Sequence, residues 1–341
     1  MGTGGIATFA QNLVEHWQQE DVNLKLWKVP RSNLRGWITY IPNLFAFAFE
    51  LTFRKPSLVH VNLASKGSPL RKFAFVYLAL CLKIPLVTQI HSGAFARDLG
   101  ESKKGSIWNK VTLKIISASN LVIFINHKQM DEMIQSRLVQ PGKSAFLANH
   151  IPVPRQISAQ NQKPMFDGIF VGRVSKDKGA EDLLISIASL PHSKKFAFVG
   201  KISIPGITAP SVHDYGENQV TFLGELSHED TLNLIEKSSF LILPSYSENF
   251  PMVILEASAR GKPVIATNVG EIGQIVRHNS NGLLIEPGDV SGLARCIIFY
   301  LENPQIGNTH GLAARALVEQ KYDLVTYPTE LLSLYSDSGL I

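Results

Sequence analysis

Cysteine is almost absent from this 341-residue chain, which contains only Cys81 and Cys296. Two cysteines so far apart form no disulfide framework, and we therefore expect a reducing compartment. The N-terminus has no basic segment followed by an apolar run and a cleavage site, so no secretory signal is predicted. Together these absences predict a cytoplasmic protein.

Long apolar runs are also missing, because no segment reaches the roughly 20 uninterrupted apolar residues that span a bilayer. Two shorter apolar stretches lie at Trp37–Phe53, followed by Arg54 and Lys55, and at Phe73–Leu82, preceded by Arg71 and Lys72. These stretches have two interpretations. They are core helices of an α/β domain, or their aromatic and basic residues dock the domain on an anionic membrane surface.

Charged residues make up only 18% of the chain, whereas apolar residues make up 45%. This balance excludes a disordered chain and is typical of a globular one. Because 341 residues are too many for one ordinary core, we expect two α/β domains.

The net charge of +5 is distributed unevenly along the chain. Residues 1–150 contain 18 Lys and Arg against 8 Asp and Glu, and the remainder contains 15 against 20. The basic half is either a well-solvated surface or a surface that faces an anion. Nucleic acid, anionic lipid headgroups and a diphosphate-bearing substrate all fit the second interpretation.

Short apolar runs alternate with helical segments, which predicts doubly wound α/β domains. In the second half, Phe240–Pro244 and Pro263–Thr267 are nearly continuous apolar runs, as in parallel strands covered on both faces. In the first half we place strands at Leu58–Asn62, Leu86–Ile90 and Leu121–Ile125. Ligands of such sheets bind at the carboxyl ends of the strands.

Proline and polar residues between Ile151 and Pro164 predict an interdomain linker. We therefore assign residues 1–155 to an N-terminal domain and residues 156–317 to a C-terminal domain. We expect the C-terminal helix, residues 318–341, to complete the N-terminal domain. The chain opens on a glycine-rich segment that contains Gly4 and Gly5, whereas a loop of this type normally follows a first strand. Three explanations stay open: the sequence is truncated, its start is misassigned, or the first domain lacks that strand.

The most informative segment is PSYSENFPMVILEA at residues 244–257. It leaves a buried strand, turns through a polar loop and reaches Pro251, a favoured residue at the start of a helix. Free N–H groups at that helix start suit a phosphate or sugar hydroxyls. Glu256 lies in an otherwise apolar helix, where it needs either a cationic partner or a ligand such as a ribose diol.

The two glutamates of this segment, with seven residues between them, resemble the signature of the retaining glycosyltransferase family 4. Further matches to that family follow its order along the chain: VGRV at 171–174, KG at 178–179, VTFLG at 220–224, GKPVIATNVGE at 261–271, NGLL at 281–284 and PGD at 287–289. The resemblance is strong over residues 168–302 and weak in the first half. It implies the GT-B fold, with two Rossmann-like doubly wound domains facing each other across a cleft.

The resemblance also implies roles for particular residues. Arg173 and Lys178 would hold the donor diphosphate, Glu248 the donor sugar, and His91 would lie near the reacting centre. The donor-binding set that it implies is Gly4, Gly5, Gly224, Leu226, Asn249, Phe250, Pro251, Met252, Val253 and Glu256. Local physics leaves His91 open to a purely structural role and Glu256 open to a structural salt bridge.

Two departures from the family pattern bear on the site. Asn249 stands where the family most often has glycine, and Gln274 replaces a frequently acidic residue. The chain also contains no Asp-x-Asp, the pattern with which the other major glycosyltransferase architecture holds a metal against the diphosphate. We therefore expect no metal and no cofactor, only a nucleotide diphosphate sugar as co-substrate.

The function implied is a retaining hexosyltransferase that uses a nucleotide diphosphate sugar, most naturally a UDP-sugar. The expected acceptor is a glycan or lipid-linked glycan of bacterial surface polysaccharide, reached at the inner face of the cell membrane, and no nucleic-acid partner is expected. Two alternatives stay open at this point. One is a nucleotide-sugar epimerase of similar fold, and the other is a catalytically silent nucleotide-sugar-binding protein.

Overall fold

The computed structural model describes residues 5–17, 19, 21–30, 34–64, 67–92, 95, 99, 106–157, 163–191 and 193–341. These residues form two compact units. The N-terminal unit comprises Gly4–Asn149 and Val325–Ile341, and the C-terminal unit comprises His150–Leu324. The chain therefore changes unit at 149/150 and 324/325, whereas the sequence-based boundaries were 155/156 and 317/318.

The N-terminal unit is built on a parallel four-stranded sheet in the order β1-β2-β3-β4. Its strands and helices are α1 (Gly5–Glu15), α2 (Leu34–Arg54), β1 (Val59–Leu63), α3 (Ser68–Cys81), β2 (Leu86–Ile90), α4 (Ile107–Ala118), β3 (Leu121–Phe124), α5 (His127–Gln135), β4 (Ser144–Phe146) and, after the return of the chain, α12 (Tyr327–Asp337). β2 and β3 are buried along their whole length, as apolar parallel strands require.

The C-terminal helix α12 packs on the N-terminal sheet through two tyrosines. The hydroxyl of Tyr327 lies 3.1 Å from the side-chain nitrogen of Gln89 on β2, and the hydroxyl of Tyr335 lies 2.5 Å from Nδ1 of His60 on β1. Tyr327 is fully buried and meets Phe9 of α1 edge to face. The last helix is therefore part of the N-terminal core.

The C-terminal unit contains a seven-stranded sheet in the order β11-β10-β9-β5-β6-β8-β7. Its elements are β5 (Phe166–Val171), α6 (Ala180–Ala188), β6 (Lys195–Val199), β7 (Ser211–Tyr215), β8 (Asn218–Gly224), α7 (His228–Glu236), β9 (Ser238–Leu243), α8 (Met252–Ala259), β10 (Val264–Thr267), α9 (Ile272–Ile275), β11 (Gly282–Ile285), α10 (Val290–Glu302) and α11 (Pro304–Lys321). A short 3-10 turn, Lys176–Lys178, precedes α6. Both units are Rossmann-like, and the predicted α/β class is confirmed.

The structure corrects several details of the sequence-based prediction. β7 is an antiparallel edge strand that sequence reasoning missed, because its alternating exposure lacks the continuous apolar run of the other strands. The helix that joins the N-terminal unit spans Tyr327–Asp337, whereas α11, which reaches Lys321, stays in the C-terminal unit.

The apolar stretch at Trp37–Phe53 forms α2, which is not buried all round. Phe47 and Leu51 pack in a cluster with Phe75 of α3, whereas another face of the helix is exposed. Neither of the two sequence interpretations, core or surface, therefore describes the whole helix. None of the helices within the described ranges is long and apolar enough to cross a bilayer.

Candidate active site

The candidate site lies where the strand order of the C-terminal sheet reverses. From β5 the chain proceeds outward through β6 and β8 on one side, and through β9, β10 and β11 on the other. The connections after β5 and β9 therefore diverge at the carboxyl edge of the sheet. In open α/β sheets this point forms the ligand crevice.

The first loop of the site, residues 172–179, follows β5 and carries Arg173 and Lys178. It ends at Gly179, whose φ of +68° is a left-handed conformation that glycine adopts without strain. A Cβ on Gly179 would lie 2.0 Å from the carbonyl oxygen of Pro244, so no other residue fits this approach. Glycine therefore lets the first loop pack directly against the loop after β9.

The second loop, residues 244–251, follows β9 and carries Glu248. The backbone N–H of Tyr246 donates to the carbonyl of Asp177 in the first loop at 3.0 Å. The hydroxyl of Thr267, at the end of β10, donates to the carbonyl of Ser245 at 2.5 Å. The second loop is thus held from both neighbouring strands.

The charged side chains of the two loops pair with one another. Lys178 Nζ donates to Glu248 Oε1 at 2.6 Å, and the Ser245 hydroxyl donates to the same oxygen at 2.8 Å. The Lys178 and Glu248 side chains are only 23% and 12% exposed, respectively, which makes this a partly desolvated ion pair. Arg173 Nη2 contacts Asp177 Oδ2 at 2.6 Å in a more exposed pair. Both cations proposed for the diphosphate therefore have carboxylate partners in this structure.

A third contact positions the end of the second loop. The N–H of Glu271 donates to the carbonyl of Asn249 at 3.1 Å. Phe250 is buried and packs against Tyr322, and Pro251 caps helix α8 without a side-chain hydrogen bond. Met252 and Val253 open that helix, so their backbone N–H groups lie in its first turn, where no intrahelical carbonyl can accept them.

Glu256 lies one turn further along α8, with a side chain that is only 16% exposed. Burial raises the pKa of this carboxyl, and the nearby His228 and Arg260 oppose that shift. His228 Nε2 lies 3.4 Å from Glu256 Oε1. His228 begins α7, directly after the segment that contains Gly224, whose φ is +74°, and Leu226. Gly224, Leu226 and Glu256, three members of the donor-binding set that the resemblance implies, therefore lie near one another.

The remaining predicted residues belong to the N-terminal unit. His91 directly follows β2, is buried, and places Nε2 2.7 Å from Oδ1 of Asn62 on β1. Burial, assisted by the charges of His60 and Lys72, lowers the pKa of His91 to about 3, so the imidazole is neutral at pH 7. Gly5 is the first residue of α1, and Gly4 lies outside the described residues.

A comparison with protein families gives an independent result for the C-terminal unit. Residues 155–316 match the model of the family described as glycosyl transferases group 1. This range contains both loops, Gly224 and helix α8. The protein is a glycosyltransferase.

Curated relatives agree with this assignment. The glycosyltransferase is 26% identical over 295 residues to glycogen synthase of Mycobacterium tuberculosis, covering 82% of this chain and 69% of that protein. It is also 26% identical over 260 residues to the putative teichuronic acid biosynthesis glycosyltransferase TuaC of Bacillus subtilis, covering 74% of this chain and 62% of TuaC. The chain is thus shorter than both relatives.

Solved structures show the same fold. Sucrose-phosphate synthase from Thermosynechococcus elongatus superposes with a TM-score of 0.71 at 19% identity, covering 98% of this chain and 93% of that one. HepE of Anabaena, solved in complex with UDP, gives a TM-score of 0.68 at 20% identity and covers 86% and 82% of the two chains. The predicted GT-B architecture of two Rossmann-like domains is confirmed.

Sequence reasoning missed several residues of this candidate site. Asp177 and Ser245 hold the charged side chains of the loops, and His228 faces Glu256. Asp177 lies between the VGRV and KG segments and Ser245 lies within residues 244–257, so their closeness in sequence to Arg173 and Glu248 was a usable signal. His228 lies 28 residues before Glu256 in the sequence, and only the fold brings the two side chains together.

Proposed function

We propose that this glycosyltransferase moves a hexose from a nucleotide diphosphate sugar, most naturally a UDP-sugar, with retention of the anomeric configuration. We further propose a lipid-linked glycan of bacterial surface polysaccharide as the acceptor. The observation that supports this proposal is the pairing of Lys178 with Glu248 at the reversal of strand order, beside Arg173. The resemblance to family 4 supports the retaining outcome.

In the proposed reaction, the donor diphosphate replaces the carboxylate partners of Lys178 and Arg173. Glu248 is thereby released to accept hydrogen bonds from hydroxyls of the donor sugar. The bond between the anomeric carbon and the β-phosphate oxygen breaks, and a bond forms from that carbon to the acceptor oxygen. The acceptor proton passes to the departing phosphate oxygen on the same face, and the two cations stabilise its growing charge.

Glu256 is proposed to bind the nucleotide ribose. Its carboxyl is largely desolvated, and the hydroxyls of a ribose diol would supply hydrogen bonds that favour the ionised form. The first-turn N–H groups of Met252 and Val253 are proposed to bind phosphate or sugar oxygens, because a helix start carries a partial positive charge.

Metal-free catalysis remains a prediction of this proposal. The positive charge that a metal would bring to the diphosphate is supplied here by Arg173 and Lys178. Activity is expected to survive excess EDTA, and a strict requirement for manganese would overturn this point.

The proposal is tested first by thermal unfolding in the presence of UDP-, GDP-, ADP- and CMP-sugars. A ligand at about 100 times its dissociation constant adds roughly 2.7 kcal/mol of stability. We expect one clear responder, and we expect Glu256→Ala to lose the response. The matched control is Glu236→Ala, which replaces a glutamate of helix α7 that also lies near Arg260. This variant should keep the thermal response.

The same protein then separates the alternatives. Incubation of the responding sugar nucleotide with an acceptor extract should release the nucleoside diphosphate. Conversion of the donor into a stereoisomer without any acceptor would identify an epimerase. Binding with neither transfer nor slow hydrolysis would identify a silent nucleotide-sugar-binding protein.

We also propose that the N-terminal unit contacts an anionic membrane, where a lipid-linked acceptor is presented. Five large apolar side chains on α2 are each 60 to 73% exposed: Ile38, Ile41, Phe45, Phe49 and Phe53. Their spacing of three or four residues places them on one face of the helix. We call this set the α2 apolar face. The first 150 residues carry the excess of basic residues described above, which complements anionic headgroups.

Vesicle sedimentation tests the membrane contact. Wild type should sediment with vesicles that contain phosphatidylglycerol, and the triple variant Phe45→Ser, Phe49→Ser and Phe53→Ser should not. The matched control replaces Met165, Ile185 and Val212 by serine, three apolar residues of similar exposure in the C-terminal unit. Equal sedimentation of wild type and the α2 variant would contradict the proposal.

A further inference from the structure

Lys72 of helix α3 is a largely buried cation in the N-terminal unit. Its ammonium donates a hydrogen bond to the backbone carbonyl of Asn62, near the end of β1. Burial, assisted by the charge of the adjacent Arg71, lowers the pKa of Lys72 to about 8. The amine is therefore still largely protonated at neutral pH.

Among the residues that the structure describes, no opposite charge lies beside this ammonium. Within the described ranges, no carboxylate forms an ion pair with Lys72, and the charges that act on it come from Arg71, which is also basic. Lys178 in the C-terminal unit, by contrast, lies 2.6 Å from a carboxylate. Buried charges are ordinarily paired, because desolvation without a counter-charge is costly.

The position of Lys72 in the fold is that of a ligand site. The backbone carbonyl of Asn62 accepts the hydrogen bond from the Lys72 ammonium. The side-chain Oδ1 of Asn62 lies 2.7 Å from His91 Nε2. The charge of Lys72 in turn acts on His91. Lys72, Asn62 and His91 therefore form one cluster at the carboxyl edge of the N-terminal sheet, the edge at which α/β sheets bind ligands.

We infer that Lys72 binds a phosphate-type oxyanion of a substrate at this edge of the N-terminal sheet. The oxyanion would supply the counter-charge that the described residues do not provide, and Asn62 and the neutral His91 would flank it. The inference rests on the proposed function, because the donor and a lipid-linked acceptor both carry a diphosphate. It goes further by assigning one of those diphosphates to the N-terminal unit through Lys72.

Trace acetylation of the intact protein with acetic anhydride near pH 8, read by peptide mass mapping, tests the site residue by residue. The probes are UDP, representing the donor, and farnesyl diphosphate, representing a lipid-linked acceptor, with inorganic pyrophosphate as the minimal anion. We expect at least one probe to slow the labelling of Lys72 severalfold. The exposed Lys128 is the control, and its labelling rate should not change.

The pattern of protection separates the sources of the anion. Protection of Lys72 by UDP assigns the donor diphosphate, and protection by farnesyl diphosphate alone assigns the acceptor. Lys178 is labelled in the same experiment and reports the donor site independently. Protection of Lys178 without any effect on Lys72 would overturn the inference and leave the proposed function standing. If no probe protects either lysine, the inference and the proposed function are both contradicted.

Two variants distinguish a binding role from a structural one. Lys72→Met removes the unpaired charge at similar volume, so it should unfold at a temperature no lower than wild type. It should also reduce the thermal shift that the protecting probe gives to wild type, and Lys72→Arg should restore part of that shift. A Lys72→Met protein that unfolds at a much lower temperature, or that keeps the full ligand shift, contradicts the inference.

Discussion

The two units of this glycosyltransferase differ in how they accommodate basic side chains: ion pairs hold them in one unit, and burial favours their uncharged forms in the other. In the C-terminal unit, Lys178 pairs with Glu248 and Arg173 pairs with Asp177. In the N-terminal unit, His60, His91 and Lys72 all have a lowered pKa, and burial is the largest cause for each. The first arrangement is neutral before any ligand binds, and the second consists of bases that burial drives toward their uncharged forms.

This difference has a consequence for binding. A diphosphate that binds Lys178 and Arg173 must displace the carboxylates of Glu248 and Asp177. The free energy needed to break these ion pairs reduces the net free energy of binding. An oxyanion that reaches Lys72 meets no competing carboxylate among the described residues. The C-terminal site therefore favours selectivity for a ligand that satisfies Glu248 as well, while the N-terminal site favours any accessible oxyanion.

The largest effect that we predict is selective acid unfolding of the N-terminal unit. Burial lowers the pKa of His60 to about 4 and that of His91 to about 3, against an ordinary value of 6.5. The unfolded chain binds more protons between pH 6.5 and those values, so the stability present above pH 6.5 is lost as the pH falls. At about 1.4 kcal/mol per pKa unit, the loss reaches several kcal/mol near pH 4.

The tryptophans make this prediction measurable. All four of them, Trp17, Trp27, Trp37 and Trp108, belong to the N-terminal unit, so tryptophan fluorescence reports that unit alone. Burial raises the pKa of Glu256 in the C-terminal unit, which has the opposite effect, because the folded state then binds a proton more readily. Fluorescence should change at a higher pH than the far-ultraviolet circular dichroism of the whole chain. If fluorescence and circular dichroism change at the same pH, the prediction that the N-terminal unit unfolds first in acid is wrong.

The next effect concerns catalysis in the C-terminal unit. Lys178→Ala removes the better-buried of the two cations and is expected to lower kcat by about 10²-fold or more, as loss of a preorganised charge does. Lys176→Ala, an exposed lysine in the same turn, is the matched control and should retain near-normal turnover. The measurement is the initial rate of nucleoside diphosphate release at saturating donor. Near-normal turnover of Lys178→Ala would remove this residue from the mechanism.

The contrast between the units also explains what the sequence could predict. The C-terminal site is made of loops that are continuous in sequence, so Arg173, Lys178, Glu248 and Glu256 lie in short, readable segments. The N-terminal cluster joins β1, α3 and the end of β2, and no short motif connects Asn62, Lys72 and His91. Of these three residues, only His91 was assigned to a site from the sequence, through the resemblance to family 4.

Surface and edge features were equally hard to predict. The apolar residues of α2 showed a hydrophobic helix, but only packing against α3 determines which face is buried and leaves Phe45 exposed. β7 was missed because a half-exposed antiparallel edge strand has no continuous apolar run. The crossing of the chain at 324/325 depends on the contacts of Tyr327 and Tyr335, which lie more than 200 residues from their partners in sequence.

The smallest predicted effect is the change in stability when one glycine of each unit is replaced by alanine. Gly179 joins the two loops of the C-terminal site, and the Cβ of an alanine there would lie 2.0 Å from the Pro244 carbonyl at a φ of +68°. Gly179→Ala is therefore expected to cost about 1–3 kcal/mol and to weaken donor binding, because the loops must separate. Gly142 of the N-terminal unit has nothing within 4 Å of an added Cβ and no positive φ. Gly142→Ala should accordingly be neutral, or stabilising by about 0.4–1 kcal/mol through its effect on the unfolded chain.

Urea unfolding of both variants and calorimetric titration with the responding sugar nucleotide give the result. If the close packing of the two loops is what fixes Lys178 against Glu248, Gly179→Ala should lose affinity as well as stability. A variant that loses stability but binds the donor normally would show that the loops recover their geometry after the strain is absorbed elsewhere. The Lys178–Glu248 ion pair, rather than the contact at Gly179, would then be what holds the two loops of the proposed donor site together before a ligand binds.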